Sequence, residues 1–336
     1  MKVAMYYNNN DVRIEEMPIP EIGDDELLVK VMASGICGSD VMEWYRIKKA
    51  PRVLGHEIAG EIVKVGKNVK KFKEGERVFV SHHVPCQECK YCKQGKETLC
   101  DTLRSTNFYP GGFAEYLRVP SINVEKGTFR LPDEMSYEEG VFIEPLGCVV
   151  RGMRIAGFKE GQSILVIGSG ISGLLHIKLA KALGAERIIA TDINEYRLKK
   201  AREFGADLAL MANAVKKKNC MADFVVVCAG VPSAFEQAFK CVEKGGVILF
   251  FAPLKPGIDI PFPQFDLWNK GVSIFSTYAA APCDIEEAIE LIRSGRVRVK
   301  DMITHRLGLE EAMHGFQLVA KAQNSIKVIL FPHGKP

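Results

Sequence analysis

The sequence lacks any apolar run long enough to cross a bilayer. Its strongest candidate, GGVILFFAPL at residues 245–254, falls far short of the roughly 20 residues that a membrane-spanning helix needs. The first segment, MKVAMYYNNNDVRIEE, has no apolar core of the kind that a secretory signal carries. The chain also contains no internal repeat and no low-complexity linker. We therefore expect a cytoplasmic protein with no membrane partner.

A large excess of charge of either sign is missing as well. The chain has 45 basic and 41 acidic residues, which leave a formal net charge of +4. That balance is too even to predict nucleic acid or a membrane surface as a partner. The apolar fraction of 47% is ordinary for a globular protein, and 336 residues give room for two domains.

Cysteine, in contrast, is concentrated in one place. The segment PCQECKYCKQGKETLC has four cysteines at C-x2-C-x2-C-x7-C spacing and little that could build an apolar core. Four thiolates close a tetrahedral shell around zinc and leave no position open for a substrate. We therefore predict a structural zinc ion held by Cys86, Cys89, Cys92 and Cys100. Disulfides are the alternative, but nothing else in the chain suggests an oxidising compartment. The remaining cysteines are expected to be reduced: Cys37, Cys148, Cys220, Cys228, Cys241 and Cys283.

Two sequence patterns divide the chain. Up to about residue 150, short β-rich runs such as LLVKVMAS and EIAGEIVKVG alternate with turns, which predicts a mostly antiparallel, barrel-like domain. From about Gly161, continuous apolar strands such as SILVIG and DFVVVCAG alternate with helical segments, which predicts a doubly wound parallel sheet. The last part, with two helical segments and the strand SIKVILFP, is expected to return to the first domain. The expected boundaries are 1–152 for the first domain with its cysteine lobe at 86–100, 153–282 for the parallel-sheet domain, and 283–336 for the return segment.

The glycine-rich turn GSGISG at 168–173 follows one of these strands and opens a predicted helix. Its glycines would permit a tight turn, close approach of a pyrophosphate, and close packing of helix on strand. The helix N-terminus would offer its N–H groups to the phosphates. Asp192, at the end of RIIATD, is expected to accept hydrogen bonds from the adenosine ribose and to repel a 2′-phosphate, so NAD is favoured over NADP. Capping of the helix that starts near Asn194 is its alternative role. The predicted cofactor-binding residues are Gly168, Gly170, Ile171, Ser172, Gly173 and Asp192.

Two earlier motifs put a metal-ligating side chain beside glycine. Cys37 stands in GICGSD and His56 in GHE. Either residue alone would more often be part of a core. Four further motifs follow in a fixed order along the chain: the longer string GHEIAGEIVKVGKNVKKFKEGERV, the cysteine lobe, GGFAEYLRVP and the glycine-rich turn. In these motifs the chain resembles the medium-chain zinc-dependent dehydrogenases, most closely the sorbitol and threonine dehydrogenase types.

The resemblance implies a GroES-like, β-rich catalytic domain joined to a Rossmann domain, with the active site in the cleft between them. It also implies a second, catalytic zinc ion bound by Cys37 and His56. Glu144, which stands in an EPL motif, is assigned as a direct or water-bridged ligand of this ion. Whether Glu144 or Glu57, which follows the histidine, is the third protein ligand stays open. Cys148, four residues beyond Glu144, is a less favoured competitor.

The resemblance further implies roles for two neighbours of Cys37. Asp40 matches the carboxylate that holds the ligand histidine, and Ser39 matches the hydroxyl that takes the proton from the alcohol. Two positions depart from the pattern. Met42 stands where many members have a histidine that continues the proton relay. The segment STYAAAP at 276–282 lacks the arginine with which several sorbitol dehydrogenases contact a polyol.

The implied activity is the reversible oxidation of a secondary alcohol or polyol to a ketone, with hydride transfer to NAD. The implied cofactors are two zinc ions per chain and NAD, and the implied assembly is a homodimer or homotetramer formed through the Rossmann domains. Oxidation of L-threonine is an alternative within this class. A zinc-free reductase of the same fold would lack these ligands. A non-catalytic protein that contacts nucleic acid through the cysteine lobe is disfavoured, because acidic residues interleave with the lobe's lysines.

Overall fold

The computed structural model describes residues 1–215 and 220–335. The chain forms two compact units. The first contains Met1–Gly147 and the chain from Ala279 onwards, and the second contains Cys148–Tyr278. No helix in the described part of the chain is long and apolar enough to span a membrane.

The strands, numbered in chain order, are β1 (Lys2–Asn8), β2 (Asp11–Glu16), β3 (Leu27–Gly35), β4 (Arg52–Val53), β5 (Glu57–Val65), β6 (Arg77–Val80), β7 (Tyr116–Val119), β8 (Thr128–Arg130), β9 (Ser163–Ile167), β10 (Arg187–Asp192), β11 (Leu208–Met211), β12 (Ala222–Val227), β13 (Val242–Phe250), β14 (Ser273–Ser276), β15 (Ile303–Gly308) and β16 (Lys327–Phe331). The α-helices are Glu43–Arg46, Lys90–Lys93, Asp101–Ser105, Ser121–Lys126, Tyr137–Gly140, Ile143–Ile155, Ile171–Ala182, Glu195–Glu203, Pro232–Cys241, Gln264–Lys270, Pro282–Arg293 and Ala312–Lys321. Short 3₁₀ turns include Gly38–Val41 and Ile47–Lys49.

The first unit is built on a mostly antiparallel sheet in the order β15-β16-β3-β5-β6-β8, with β7 paired to β3. Alternating apolar residues on β3 and β5, such as Val29, Val31 and Ile62, are fully buried and line its core. The late strand β16 pairs with β3 and with β15, so the end of the chain completes this sheet. A smaller sheet, β2-β1-β4, packs its own apolar cluster around Tyr6 and Phe316.

The second unit is a six-stranded parallel sheet in the order β11-β10-β9-β12-β13-β14. Strand β9 reads SILVI and is buried along nearly its whole length, as expected where helices cover both faces of a sheet. The order reverses direction at β9 and β12, which creates a crevice beyond the carboxyl ends of these strands where ligands of such sheets bind. The predicted doubly wound parallel sheet is confirmed.

One expectation about the cysteines is wrong. Cys220 and Cys241 form a disulfide rather than two thiols, with their Cα atoms 5.4 Å apart. Cys220 lies two residues before β12, and Cys241 ends the helix Pro232–Cys241. Both are buried in the apolar core of the second unit. No local pattern predicts this pair, because the two residues are 21 positions apart and the fold of the chain between them brings them together.

Candidate metal and dinucleotide sites

The ends of two paired strands bring three possible metal ligands together. Cys37 lies just after β3, and His56 and Glu57 lie at the start of β5. Because β3 and β5 are antiparallel with Gly35 opposite Glu57, these two ends meet. One ligand atom from each of Cys37, His56 and Glu57 lies within 4.8 Å of the others. The glycine is needed here, since a Cβ atom at Gly35 would collide with the Glu57 carboxylate.

Asp40 contacts both Cys37 and His56. It is fully buried; its Oδ2 accepts the Cys37 N–H at 3.1 Å, and its Oδ1 lies 3.5 Å from His56 Nδ1. Burial acts to raise the pKa of Asp40, but His56 and Arg46 outweigh it and hold that pKa below its usual value. Burial acts to lower the pKa of His56, but Asp40 and Cys37 outweigh it and raise that pKa well above its usual value. The surroundings therefore favour positive charge at this imidazole, and a bound cation would supply it. With Nδ1 directed to Asp40, Nε2 is left for the metal.

Ser39 is held by an arginine that sequence reasoning missed. Arg46, at the end of the helix Glu43–Arg46, donates from Nε to the Ser39 carbonyl at 2.9 Å and from Nη2 to Ser39 Oγ at 2.8 Å. The same Nη2 lies 3.2 Å from Asp40 Oδ1. The Ser39 hydroxyl therefore sits beside a positive charge. No sequence signal marks this contact, because it depends on the turn between the two residues.

Glu57 has a second partner that the sequence did not reveal. The ammonium of Lys327, on strand β16, makes a short ion pair with Glu57 Oε2, and both side chains are almost fully buried. The lysine also lies over the ring of Phe142. One carboxylate oxygen of Glu57 is thus already neutralised, which makes this glutamate a weaker candidate for the third metal ligand.

Glu144 and Cys148 are not brought into the group. Glu144 lies in the first turn of the helix Ile143–Ile155 and is 9% exposed. Among the residues that the structure describes, the clustered ligand atoms near His56 are those of Cys37 and Glu57, without either of these two. The assignment of Glu144 as a direct or water-bridged ligand stays a prediction.

Two histidines after strand β6 extend the site. The ring of His82 lies 4.8 Å from that of His56 and 3.8 Å from that of His83. The buried Nδ1 atom of His82 has no hydrogen-bond partner in the described part of the chain. Burial, together with the charges of His56 and Arg46, lowers the pKa of His83 to about 3. Burial and the charge of His83 likewise hold the pKa of His82 well below its usual value. Both imidazoles are therefore neutral near pH 7. Sequence reasoning missed them, although the consecutive pair in SHHVPC was visible.

The predicted cysteine lobe is assembled. The four sulfurs lie within 4.8 Å of one another, with separations of 3.6 Å for Cys89–Cys92 and Cys86–Cys100 and 4.0 Å for Cys86–Cys92. Four thiolates at about 2.3 Å from a tetrahedral zinc ion would lie about 3.8 Å apart. The separations are far too long for disulfides, for which the S–S distance is about 2.05 Å. The donor set therefore fits a closed zinc site.

Backbone N–H groups point at the sulfurs of this lobe. Cys86 Sγ accepts from the N–H groups of Glu88 and Cys89 at 3.4 and 3.3 Å. These two bonds lower the pKa of Cys86. Burial acts to raise the pKa of Cys100, but hydrogen bonds, the first from the Cys86 N–H, outweigh it and lower that pKa to about 6. These contacts favour the thiolate form, which binds zinc, at Cys86 and Cys100. At Cys92, in contrast, burial raises the pKa to about 12.

The glycine-rich turn has the geometry that a dinucleotide needs. Gly168 adopts φ +93°, which favours glycine, and a Cβ atom at Gly173 would collide with the Gly168 carbonyl. Around Gly170, in contrast, a Cβ atom would meet nothing nearer than Arg197 at 3.9 Å. The helix Ile171–Ala182 begins directly after it, with Ser172 in its first turn. The open face and the N–H groups of this helix fit a pyrophosphate.

Asp192 ends β10 beside this turn. Its carboxylate accepts the N–H of Ser169 at 2.6 Å and that of Asn194 at 2.9 Å. The cap of the helix Glu195–Glu203 is Asn194, whose side chain accepts the Arg197 N–H, so the alternative role for Asp192 as that helix cap is wrong. Arg197 Nη1 lies 4.0 Å from the Asp192 carboxylate. Asp192 therefore ties the turn to the end of the neighbouring strand.

Two family models match the chain. The alcohol dehydrogenase GroES-like domain matches residues 23–133, and the zinc-binding dehydrogenase domain matches residues 172–294. The chain is 31% identical to the sorbitol dehydrogenase of Bacillus subtilis, covering 99% of this chain and 98% of that protein. It is 35% identical to the L-threonine 3-dehydrogenase of Bacillus licheniformis, covering 95% and 94%.

Solved structures of dehydrogenases also superpose on the chain. The alcohol dehydrogenase TADH from Thermus sp. ATN1 superposes with a TM-score of 0.88 at 28% identity, covering 98% of this chain and 99% of that one. A protein from Sinorhizobium meliloti, described as a zinc-binding dehydrogenase and bound to NADP, superposes with a TM-score of 0.87 at 27% identity, with the same coverage.

Proposed function

The chain belongs to the zinc-dependent medium-chain alcohol and polyol dehydrogenase family and is an oxidoreductase, and on that premise we propose that it interconverts a secondary alcohol or polyol and its ketone with NAD. The observation that carries this proposal is the close approach of half-buried Cys37 to His56, whose ring faces the buried Asp40, in a chain that also has a glycine-rich turn. A thiolate and an imidazole that is oriented by a carboxylate are a zinc-binding set.

Cys37 and His56 would hold the catalytic ion. The third ligand is Glu144 in our proposal, because one oxygen of Glu57 is already paired with Lys327. When bound, zinc acts as a Lewis acid that lowers the pKa of an alcohol towards neutrality. Asp40 would fix the ring of His56, and the buried Glu57–Lys327 ion pair lies next to these ligands.

Ser39 is proposed to take the proton of the substrate hydroxyl. A hydroxyl has one donor and two acceptor positions, and the bond from Arg46 Nη2 occupies one of the acceptor positions. The other acceptor position can receive the substrate proton while the Ser39 O–H passes its own proton to water or to the cofactor ribose. Because Met42 cannot continue this transfer, Ser39 is the last protein group in it.

The cofactor is proposed to bind at the turn formed by Gly168, Gly170, Ile171, Ser172 and Gly173. NAD is preferred over NADP in this proposal because the carboxylate of Asp192 would repel a 2′-phosphate. The positive charge of the neighbouring Arg197 would attract a 2′-phosphate and so favour NADP, which is why both cofactors are compared in the test. Bound NAD accepts the hydride, and the protein supplies its orientation.

We further propose a second zinc ion, a division into two domains and an assembly of identical subunits. A second, structural zinc ion would occupy the cysteine lobe at 86–100. Residues 1–152 and 283–336 would form the catalytic domain and 153–282 the Rossmann domain, in a cytoplasmic homodimer or homotetramer. Strand β14 lies at the end of its sheet, and next to it the chain exposes Phe265 and Trp268 at 67% and 69%. An exposed edge strand with apolar neighbours favours a second copy as the partner.

The test is a substrate panel. The zinc-loaded protein is incubated with NAD or NADP and sorbitol, xylitol, 2,3-butanediol, a simple secondary alcohol or L-threonine, and the absorbance of the reduced cofactor is read. We expect a polyol or diol to react, faster with NAD than with NADP. L-Threonine is included because a relative with that activity is 35% identical. Exclusive turnover of L-threonine, or no turnover at all, would contradict the proposal, and a preference for NADP would overturn the role of Asp192.

A further inference from the structure

Lys327 is a lysine whose side chain has no access to solvent. It is 0% exposed on β16, and Glu57, its partner in the ion pair, is 1% exposed. Lysine and glutamate are almost never fully buried, because taking a charge out of water is costly even when it is paired. A buried ion pair is weak evidence of stability. The pair is therefore more informative about the neighbouring ligands Cys37 and His56 than about stability.

Gly35 makes room for this pair. It lies opposite Glu57 of β5 and opposite Ile329 of β16, so β3 runs between the two strands that carry the charges. A Cβ atom at Gly35 would collide with Glu57 Oε2 and with Lys327 Cε. Lys327 Nζ also lies 5.4 Å from the centre of the Phe142 ring, which is a favourable cation–π contact. The carboxylate and the aromatic ring together hold the ammonium in place.

The carboxylate of Glu57 lies close to the predicted metal ligands. One of its oxygens is within 4.8 Å of Cys37 Sγ and of a ring nitrogen of His56. Ligand atoms that share a zinc ion lie about 3 to 4 Å apart, because each is about 2.0–2.3 Å from the ion. A small change in the side-chain torsion angles of Glu57 would therefore add it to the ligands of the ion.

A fourth protein ligand would oppose catalysis. A catalytic zinc ion has three protein ligands and an open position, whereas four protein ligands close the tetrahedral shell. With Cys37, His56 and Glu144 as the proposed ligands, Glu57 would take the open position. A buried carboxylate without a counter-charge would be attracted to the cation. The ammonium of Lys327 weakens this attraction, because it compensates the charge of Glu57 where the carboxylate lies.

We propose that Lys327 is a positioning residue that keeps Glu57 off the catalytic zinc, so that the fourth position stays open for the substrate hydroxyl. This inference rests on the proposed function and names the residue on which the open position depends. It concerns binding of the substrate oxygen rather than hydride transfer. A ligand from the protein that competes for the position lowers the fraction of enzyme that can bind alcohol, and the apparent affinity falls by that fraction.

Lys327→Met tests the inference, because methionine fills a similar space without the charge. Rates are measured with NAD and the best alcohol of the panel. We expect the KM for the alcohol to rise about 10- to 100-fold, the usual effect of changing a residue that orients a metal ligand. The value of kcat at saturating alcohol and the KM for NAD should change little, because excess alcohol displaces Glu57.

The affinity for the catalytic ion gives a second readout, which needs no turnover. It is measured by competition with a chelator, and Cys37→Ala supplies the reference for the ion of the cysteine lobe. In Lys327→Met this affinity should rise, because Glu57 joins the ligands. A merely structural role of Lys327 would lower it instead.

The double variant Lys327→Met/Glu57→Gln removes both charges. It should return the KM for the alcohol and the affinity for zinc to near the wild-type values. It should also fold where the single variant does not, because no buried charge is left unpaired. Lys300→Met is the control: it breaks a solvent-accessible ion pair with Glu139 and should change neither quantity.

Three results would overturn the inference while the proposed function stood. They are an unchanged KM for the alcohol in Lys327→Met, a fall of zinc affinity in that variant, and loss of the catalytic ion from the double variant, which would make Glu57 itself a zinc ligand. No turnover of any alcohol by the wild type would remove the proposed function, and the zinc affinities would still decide the role of Lys327.

Discussion

Ser39 sits between two opposing influences. In the proposed mechanism its hydroxyl accepts a proton, yet the guanidinium of Arg46 donates to the same oxygen at 2.8 Å and makes it less basic. The same positive charge would stabilise negative charge that develops on a neighbouring oxygen. On this proposal Arg46 positions Ser39 and helps a deprotonated substrate oxygen more than it helps a proton acceptor.

Replacing Ser39 tests its role as proton acceptor. Ser39→Ala should keep zinc and NAD binding but slow alcohol oxidation by about 10²- to 10⁴-fold, the usual contribution of a positioned proton acceptor. The defect should shrink at high pH, where hydroxide can take the proton. Rates are measured across pH, with Ser294→Ala as a control at an exposed serine. Unchanged oxidation by Ser39→Ala at neutral pH would exclude the proton-transfer role.

His176 links stability to pH. It is fully buried on the helix Ile171–Ala182, and its Nδ1 donates to the Ser172 carbonyl at 2.8 Å. Burial lowers its pKa from 6.5 to about 4. Protons therefore bind the unfolded chain more readily than the folded one between these values, and the stabilisation present above pH 6.5 is lost as the pH falls towards 4.

His176→Gln should remove this dependence. The wild type should lose about 3 kcal/mol more free energy of unfolding than the variant between pH 7 and pH 4, from a pKa shift of about 2.5 units. Urea unfolding of both proteins at a series of pH values measures the difference. Any loss of bound zinc at low pH would occur in both proteins, so it cancels in the difference between their free energies of unfolding. Parallel pH profiles would show that His176 is not the group responsible.

At the scale of elements, the cysteine lobe has little of its own to stabilise it. Its helices Lys90–Lys93 and Asp101–Ser105 are only one turn long, too short to be stable alone. Cys100 is buried, and Cys86, Cys89 and Cys92 are partly exposed. We therefore propose that the lobe depends on bonds from sulfur to zinc, which would contribute directly to folding.

Cys89→Ser should lower the zinc content by one ion per chain and lower the midpoint of thermal unfolding, without necessarily removing the catalytic ion. Metal analysis and calorimetry measure the two effects. Cys283→Ser, outside both predicted sites, should change neither zinc content nor midpoint much. An unchanged zinc content in Cys89→Ser, or mass evidence for disulfides within the lobe, would contradict the assignment.

Local patterns were readable from the sequence, and distant contacts were not. The glycine-rich turn and the lobe are short segments whose spacing reflects their geometry, and both are assembled as expected. Lys327 meets Glu57 across 270 residues, and no local pattern announces such a pair. The Cys220–Cys241 disulfide escaped for the same reason. Arg46 was close in sequence, but its contact with Ser39 depends on how the turn folds.

For the whole molecule, we predict that the exposed apolar side chains of Phe265 and Trp268 near β14 pack against a second copy of the chain. Light scattering should show a homodimer or homotetramer, and Trp268→Asp should shift it towards monomer, because it places a charge in the proposed interface. Lys244→Asp, at an exposed position of the same sheet, is the control and should keep the assembly. A wild-type protein that remains monomeric at micromolar concentration would contradict this interface.

Zinc content and activity measured together in wild type and Cys37→Ala test the central claim most directly. Both proteins are purified alike, metal is counted per chain, and NAD-linked oxidation of the best alcohol is followed by the absorbance of the reduced cofactor. The account predicts two zinc ions and turnover for the wild type. It predicts one ion, held by the lobe, and no turnover for Cys37→Ala, which should remain folded. A Cys37→Ala protein that retained both ions, or that oxidised the alcohol at the wild-type rate, would contradict it.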